Sequence, residues 1–177
     1  ADGIPYIFHD DNLLRLLGRE TLFNSLNSSE IDNLRLFDSY QIPKLKAALD
    51  KFPEALFQID VKTDEVAMPA LKVIEECNSL NRICIASFSS DRLKKVNNAY
   101  PEVCLSMGPK EVVKLLLASF GLYRKKIPGN CLQIPIYQYG IKLVTQRFVD
   151  YVQSIDLKIH VWTINDVPTM QKLIDMK

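Results

Sequence analysis

The feature that most constrains the fold is an alternation. Short β-branched runs recur along the chain, each separated from the next by a longer stretch whose apolar residues follow helical spacing. "LFQIDVK" (56–62), "RICIASF" (82–88), "EVCLSMG" (102–108), "NCLQIPI" (130–136) and "KIHVWTIN" (158–165) read as strands. In the gaps, Leu45, Ala48, Leu49 and Phe52 make one apolar helix face after Pro43, and Leu71, Ile74 and Cys77 make a second. Leu93, Val96 and Tyr100 mark a third helix, and Phe148, Val152 and Ile155 a fourth. A strand every 20 to 30 residues with a helix in each gap predicts an α/β protein built of βα units on a parallel sheet, either doubly wound or a (β/α)8 barrel. A further apolar run, Tyr6-Ile7-Phe8, reads as a strand that stops at His9-Asp10-Asp11.

At 177 residues, 47% of them hydrophobic, the chain can bury a core as one globular domain. Its 22 basic and 21 acidic residues nearly cancel, so no global field exists to attract nucleic acid. No run reaches the ~18 apolar residues of a membrane span. The longest apolar stretch, "VVKLLLASFGLY" at 112–123, is broken by Lys114 and ends in Arg124-Lys125-Lys126. Segment 112–126 is either an ordinary barrel helix with a solvated basic end, or an interfacial helix making peripheral membrane contact. Cys77, Cys84, Cys104 and Cys131 show neither zinc-ligand spacing nor a disulfide framework, which predicts isolated, reduced, buried thiols in a cytoplasmic protein.

Both ends suggest a piece of a larger barrel. Asp2-Gly3 is a hairpin turn signal with no strand before it, and "TMQKLIDMK" reads as a helix with no glycine cap. A full barrel takes about 250 residues, so two or three βα units of roughly 25–30 residues each are expected to be missing.

Three strand ends carry polar residues that a buried sheet does not tolerate for packing alone. His9 between an apolar run and two carboxylates marks either chemistry or a solvated loop. In "LFQIDVK" the period of two puts Gln58, Asp60 and Lys62 on one face, with Asp60 and Lys62 about 6–7 Å apart. An acid there costs several kcal/mol, or so, unless it is paired or bound to a metal. The pair is therefore a self-neutralising ion pair, or a hard-cation ligand beside an anion-binding ammonium at the end of the strand where barrels place their sites. Trp162, the single tryptophan, is a wall for a small polar ligand or a core residue. His160, one step deeper, reads as a core histidine, and Asp166 before "VPTM" as a helix cap.

Taken in order, "DGIPYIFHDDNLLR", "IPKLKAALDKFPEALFQIDVK", "IASFSSDRLKKV" with "YPEVCLS", and "IKLVTQRFVDYVQSIDLKIHVWTINDVPTMQKLID" resemble successive blocks of the glycerophosphodiester phosphodiesterase family. The resemblance covers nearly the whole chain. It implies a TIM (β/α)8 barrel, present here as an incomplete barrel, with residues 1–177 as one truncated phosphodiesterase domain. It further implies that His9 is one of two catalytic histidines and that Asp60 is a metal ligand. Lys62 would contact the substrate phosphate, Trp162 would be the active-site aromatic, and Ser87 would line the site while Phe88 packs. The cofactor implied is a divalent cation, Mg²⁺ or Ca²⁺. The family's His-Arg-Gly block, its Glu-x-Asp pair and its closing Gly-Val-Asp-Gly strand are missing from residues 1–177, so these residues alone are expected to be inactive.

The reaction so implied is hydrolysis of a small-molecule glycerophosphodiester to an alcohol and glycerol 3-phosphate, or lysophospholipase D-type cleavage of a lysophospholipid. Histidines serve as general acid and base, and Lys62 stabilises developing negative charge. Two other classes are open from the residues. Lys62 at a barrel strand end could form a Schiff base, as in aldolase-like barrels. Alternatively, a degenerate barrel could serve as a binding module.

Overall fold

The computed structural model describes residues 2–176, which divide into two compact units. The first comprises the residues up to Phe57 together with Val61–Arg82; the second comprises Gln58–Asp60 together with the residues from Ile83 onward.

The first unit is helical. It holds α1 (Leu14–Leu17), α2 (Ser28–Asp32), α3 (Leu45–Lys51) and α4 (Asp64–Glu76). Asn27 and Glu30 form a reciprocal capping box at the start of α2, satisfying two amide donors that the helix leaves orphaned. Leu13, Ile31, Leu45, Leu49, Leu71 and Ile74 are among its buried apolar residues. Arg82 closes the end of α3: its guanidinium donates to the carbonyls of Leu49 at 2.9 Å, Phe52 at 2.8 Å and Ala55 at 3.0 Å, and lies over the Phe57 ring. The expected strand at Tyr6–Phe8 is not a ladder strand. Tyr6 makes only an isolated antiparallel bridge to Lys44, anchored where Tyr6 Oη donates to Asp32 at 2.7 Å and Lys44 makes a 2.7 Å ion pair with the same carboxylate. Phe8 stacks on Phe23 instead of entering a sheet.

The second unit carries the sheet. Its strands are β1 (Phe57–Asp60, of which Phe57 belongs to the first unit), β2 (Ile83–Ala86), β3 (Cys104–Leu105), β4 (Cys131–Ile134), β5 (Tyr137–Gln138), β6 (Ile141–Lys142) and β7 (Lys158–Val161). Helices α5 (Ser90–Ala99), α6 (Pro109–Ser119) and α7 (Gln146–Ser154) lie between them in sequence, and α8 (Val167–Ile174) follows. β1, β2 and β3 are neighbours in that order, and β2–β3 and β4–β7 pair parallel. A parallel bridge from Ser106 to Cys131 joins β3 to β4. The order β1-β2-β3-β4-β7 follows the chain without reversal. That is the succession of a barrel; a doubly wound sheet reverses at a switch point.

β5 and β6 form an antiparallel hairpin absent from the sequence expectation, turning through Tyr139 and Gly140, both at positive φ. Phe148, Val152, Leu132, Ile134, Leu115 and Met107 centre the core. α8 closes at Ile174 with Asp175 as its cap, so the helix expected to run on through "TMQKLIDMK" stops there; Lys177 lies outside the described residues.

Candidate active site

The five candidate residues fall in both units, and each unit places its own. In the second, Asp60 is the last residue of β1, Ser87 directly follows β2 and Trp162 directly follows β7. All three thus stand at the C-terminal ends of their strands. The alternation within β1 leaves Gln58 and Asp60 exposed and Phe57 and Ile59 half-buried, so the acid is on the open face.

Trp162 is 39% exposed and meets Phe88 edge to face, with ring centroids 6.0 Å apart. Phe88 is itself 63% exposed, so the packing expected of it is against the Trp162 ring. The two rings form an aromatic corner of the kind that holds the non-reacting part of a ligand. His160, expected in the core, is exposed, in register with Gln133 on β4.

Ser87 is buried, and its hydroxyl oxygen accepts from the Arg92 guanidinium at 2.8 Å and the Ser89 amide at 3.2 Å. These bonds fix the turn into α5. Asp166 caps α8 as expected, accepting from the Thr169 amide at 2.9 Å; the Thr169 side chain first, and that amide second, hold its carboxyl below the usual carboxylate range.

In the first unit, His9 sits in a loop with its side chain 81% exposed, and its Nδ1 lies 2.8 Å from Asp10 Oδ1. Arg15 grips the same carboxylate, Nε to Oδ2 at 2.7 Å and Nη2 to Oδ1 at 3.1 Å. Arg15 first, and His9 second, pull the Asp10 carboxyl down to about 2, so it stays anionic throughout the neutral range. With Nδ1–H donated to Asp10, Nε2 is the nitrogen that can accept or deliver a proton. Arg15, and Asp10 as the orienting acid, are missing from the expected site. The signal was local: an arginine five residues after the acid, brought back by the single turn of α1. Lys62 follows β1, two residues beyond Asp60, and is exposed.

Asp60 is chemically apt for a hard cation, but it is one carboxylate. Among the described residues, the group of three or more His, Cys, Asp or Glu donors close enough to hold an ion is a cysteine trio, Cys84, Cys104 and Cys131. The four cysteines are thus not all isolated. A pocket of about 460 Å³ between α5 and α6, lined by Leu93, Lys94, Lys110 and Lys114, contains none of the five candidate residues.

Residues 1–177 match the model of the glycerophosphoryl diester phosphodiesterase family. The chain belongs to this family. It is accordingly an enzyme of the glycerophosphodiester phosphodiesterase class. A curated relative, "Probable glycerophosphodiester phosphodiesterase 2" of Mycobacterium tuberculosis (strain ATCC 25618 / H37Rv), is 28% identical over 99% of this chain and 69% of its own length. The crystal structure of a glycerophosphodiester phosphodiesterase from Parabacteroides distasonis ATCC 8503 matches with a TM-score of 0.73 at 20% identity, covering 97% of this chain and 70% of that one. That of the enzyme from Agrobacterium tumefaciens str. C58 matches with a TM-score of 0.71, also at 20% identity, covering 97% and 72%. These likenesses agree with the strand order in giving an α/β fold of the TIM-barrel type. No described helix is long and apolar enough to cross a membrane.

Proposed function

We propose that the protein hydrolyses glycerophosphodiesters to an alcohol and glycerol 3-phosphate, with lysophospholipids as the related larger substrates. The observation that carries this is the His9–Asp10–Arg15 chain, which orients an exposed imidazole against a permanently ionised acid. As an imidazolium, His9 passes the Nε2 proton to the leaving alcohol oxygen while a water oxygen bonds to phosphorus, the phosphorus–alcohol oxygen bond breaks and the water's proton is released to solvent; Asp10 stabilises the charged ring until then. Lys62 offsets the negative charge that builds on the phosphoryl oxygens. Trp162 and Phe88 form an apolar wall for the part of the substrate that does not react. Ser87 supports the strand end through its hydroxyl, whose bonds from Arg92 and Ser89 fix the turn into α5.

Asp60 is one ligand of a divalent cation, Mg²⁺ or Ca²⁺, which when bound polarises phosphoryl oxygens. Being a single donor, it does not define a coordination sphere, so the chemistry here rests on His9 and Lys62.

The test is turnover of glycerophosphocholine by the protein that carries these residues. His9→Asn is expected to lower kcat by about 10²–10⁴, and a chelator to abolish turnover. An unaffected His9→Asn enzyme contradicts the assignment. Borohydride trapping of a carbonyl substrate on Lys62 would instead select Schiff-base chemistry.

A second reading concerns where the substrate is met. Val113, Leu117, Phe120 and Leu122 are exposed on and just after α6, beside Arg124-Lys125-Lys126. This combination suits peripheral contact with an anionic bilayer. Flotation with phosphatidylserine vesicles should carry the protein upward and lose it on Leu117→Asp/Leu122→Asp. A protein left at the bottom of the gradient rules the contact out.

A further inference from the structure

Three strands of the second unit bring sulfur to one place. Cys84 on β2 and Cys104 on β3 are register partners in a parallel pair, so their side chains share a face. Ser106, two residues on from Cys104 and hence on that same face, is bridged in parallel to Cys131, the first residue of β4. On a flat sheet β2 and β4 would be separated by about 9–10 Å, two strand spacings. Yet Cys84 Sγ lies 3.6 Å from Cys131 Sγ, which requires the face to be strongly concave. Cys104 Sγ completes the set, all three sulfurs lying within 4.8 Å of one another.

We infer that Cys84, Cys104 and Cys131 form a binding site for a soft, thiophilic metal ion, separate from any hard-cation site at Asp60. Three thiolates each about 2.3 Å from one ion stand about 3.8–4.0 Å apart, in tetrahedral or trigonal geometry. The Cys84–Cys131 spacing of 3.6 Å is just under that range and the other two do not exceed 4.8 Å, so small side-chain rotations suffice. Sulfur donors select soft ions such as Cd²⁺, Zn²⁺ or Cu⁺, and they reject Mg²⁺ and Ca²⁺.

The surroundings are also unlike a simple apolar layer, which in barrels is filled by Val, Ile and Leu. Gln133 Nε2 approaches Cys84 Sγ at 3.9 Å, and Lys158 stands in register with Cys131. A hydrogen bond from Cys84 pulls the Cys131 thiol below its usual value. Its partner Cys84 is pushed strongly upward by that contact and by burial, and burial takes Cys104 up to about 11. Cys84 and Cys104 therefore carry protons that a metal must displace to solvent when their sulfurs become ligands. The ion would tie β2, β3 and β4 together at one depth. Sequence spacing conceals the set because its members sit on three successive βα units.

The experiment titrates Cd²⁺ into the reduced chain without oxygen, followed by sulfur-to-cadmium ultraviolet absorption, native mass spectrometry and alkylation mapping. One Cd²⁺ per chain is expected, protecting Cys84, Cys104 and Cys131 from alkylation while Cys77 is modified at its metal-free rate. Cys84→Ser, Cys104→Ser and Cys131→Ser should each weaken binding by about 100-fold or more, and Cys77→Ser should not. The alkylation map of the unmodified chain decides the matter even where a serine variant fails to fold. Protection that includes Cys77, or binding indifferent to Cys104→Ser, would each overturn the site.

Discussion

Asp10 shows how a single residue acquires a role from its neighbours. Because Arg15 and His9 lower its pKa to about 2 in the folded state, against about 3.9 when unfolded, the sign is that of a depressed acid. Its contribution is complete above the unfolded value and is lost as pH falls through about 2. An NMR titration of the Asp10 carboxyl should show a midpoint near 2, shifted back toward 4 by Arg15→Ala; an ordinary midpoint in the unmodified protein contradicts the clamp. At this scale, what can be read from sequence is what is local. Asp166 is recognisable as a cap because the carboxylate and the amide that donates to it lie three residues apart. The exposure of His160 on β7 is not, because whether a strand side chain is covered depends on what packs above it, and no residue within the strand carries that information.

Among the elements, the helix-and-strand rhythm is legible because periodicity is a property of consecutive residues. The strands are shorter than their β-branched runs, since pairing ends where the neighbouring strand does: "EVCLSMG" contributes two ladder residues. The hairpin of β5 and β6 escapes notice because Tyr139-Gly140 lacks an asparagine or aspartate at its first turn position. Arg82 likewise gives no signal, as its acceptors lie on a helix end some 30 residues earlier. Arg82→Ala should cost about 2 kcal/mol in urea unfolding, as a charged donor leaves several carbonyls unpaired. Arg82→Lys should recover little of it, since one ammonium cannot span the three carbonyls. Gly129, entering β4 at φ +128°, is held by both backbone and packing: an added Cβ would fall 2.4 Å from Met107 Cγ. Gly129→Ala should destabilise by about 1–3 kcal/mol, and an unchanged denaturation midpoint would show that this turn relaxes freely.

For the molecule as a whole, four ordered blocks of sequence were enough to indicate the family, and the match over residues 1–177 establishes it. Neither the division into two units nor the convergence of three cysteines follows from spacing, because both depend on how distant βα units curve together. Family membership gives the class of chemistry; the proposal that Asp60 grips a divalent cation which the phosphate ester then meets is the part that requires measurement. The direct test is steady-state hydrolysis of glycerophosphocholine by the protein carrying these residues, with Mg²⁺ or Ca²⁺ titrated into unmodified and Asp60→Ala enzyme. The account predicts a fall in turnover of about 100-fold or more and a rightward shift in the cation dependence. Unaltered turnover with the same cation dependence in Asp60→Ala would contradict it.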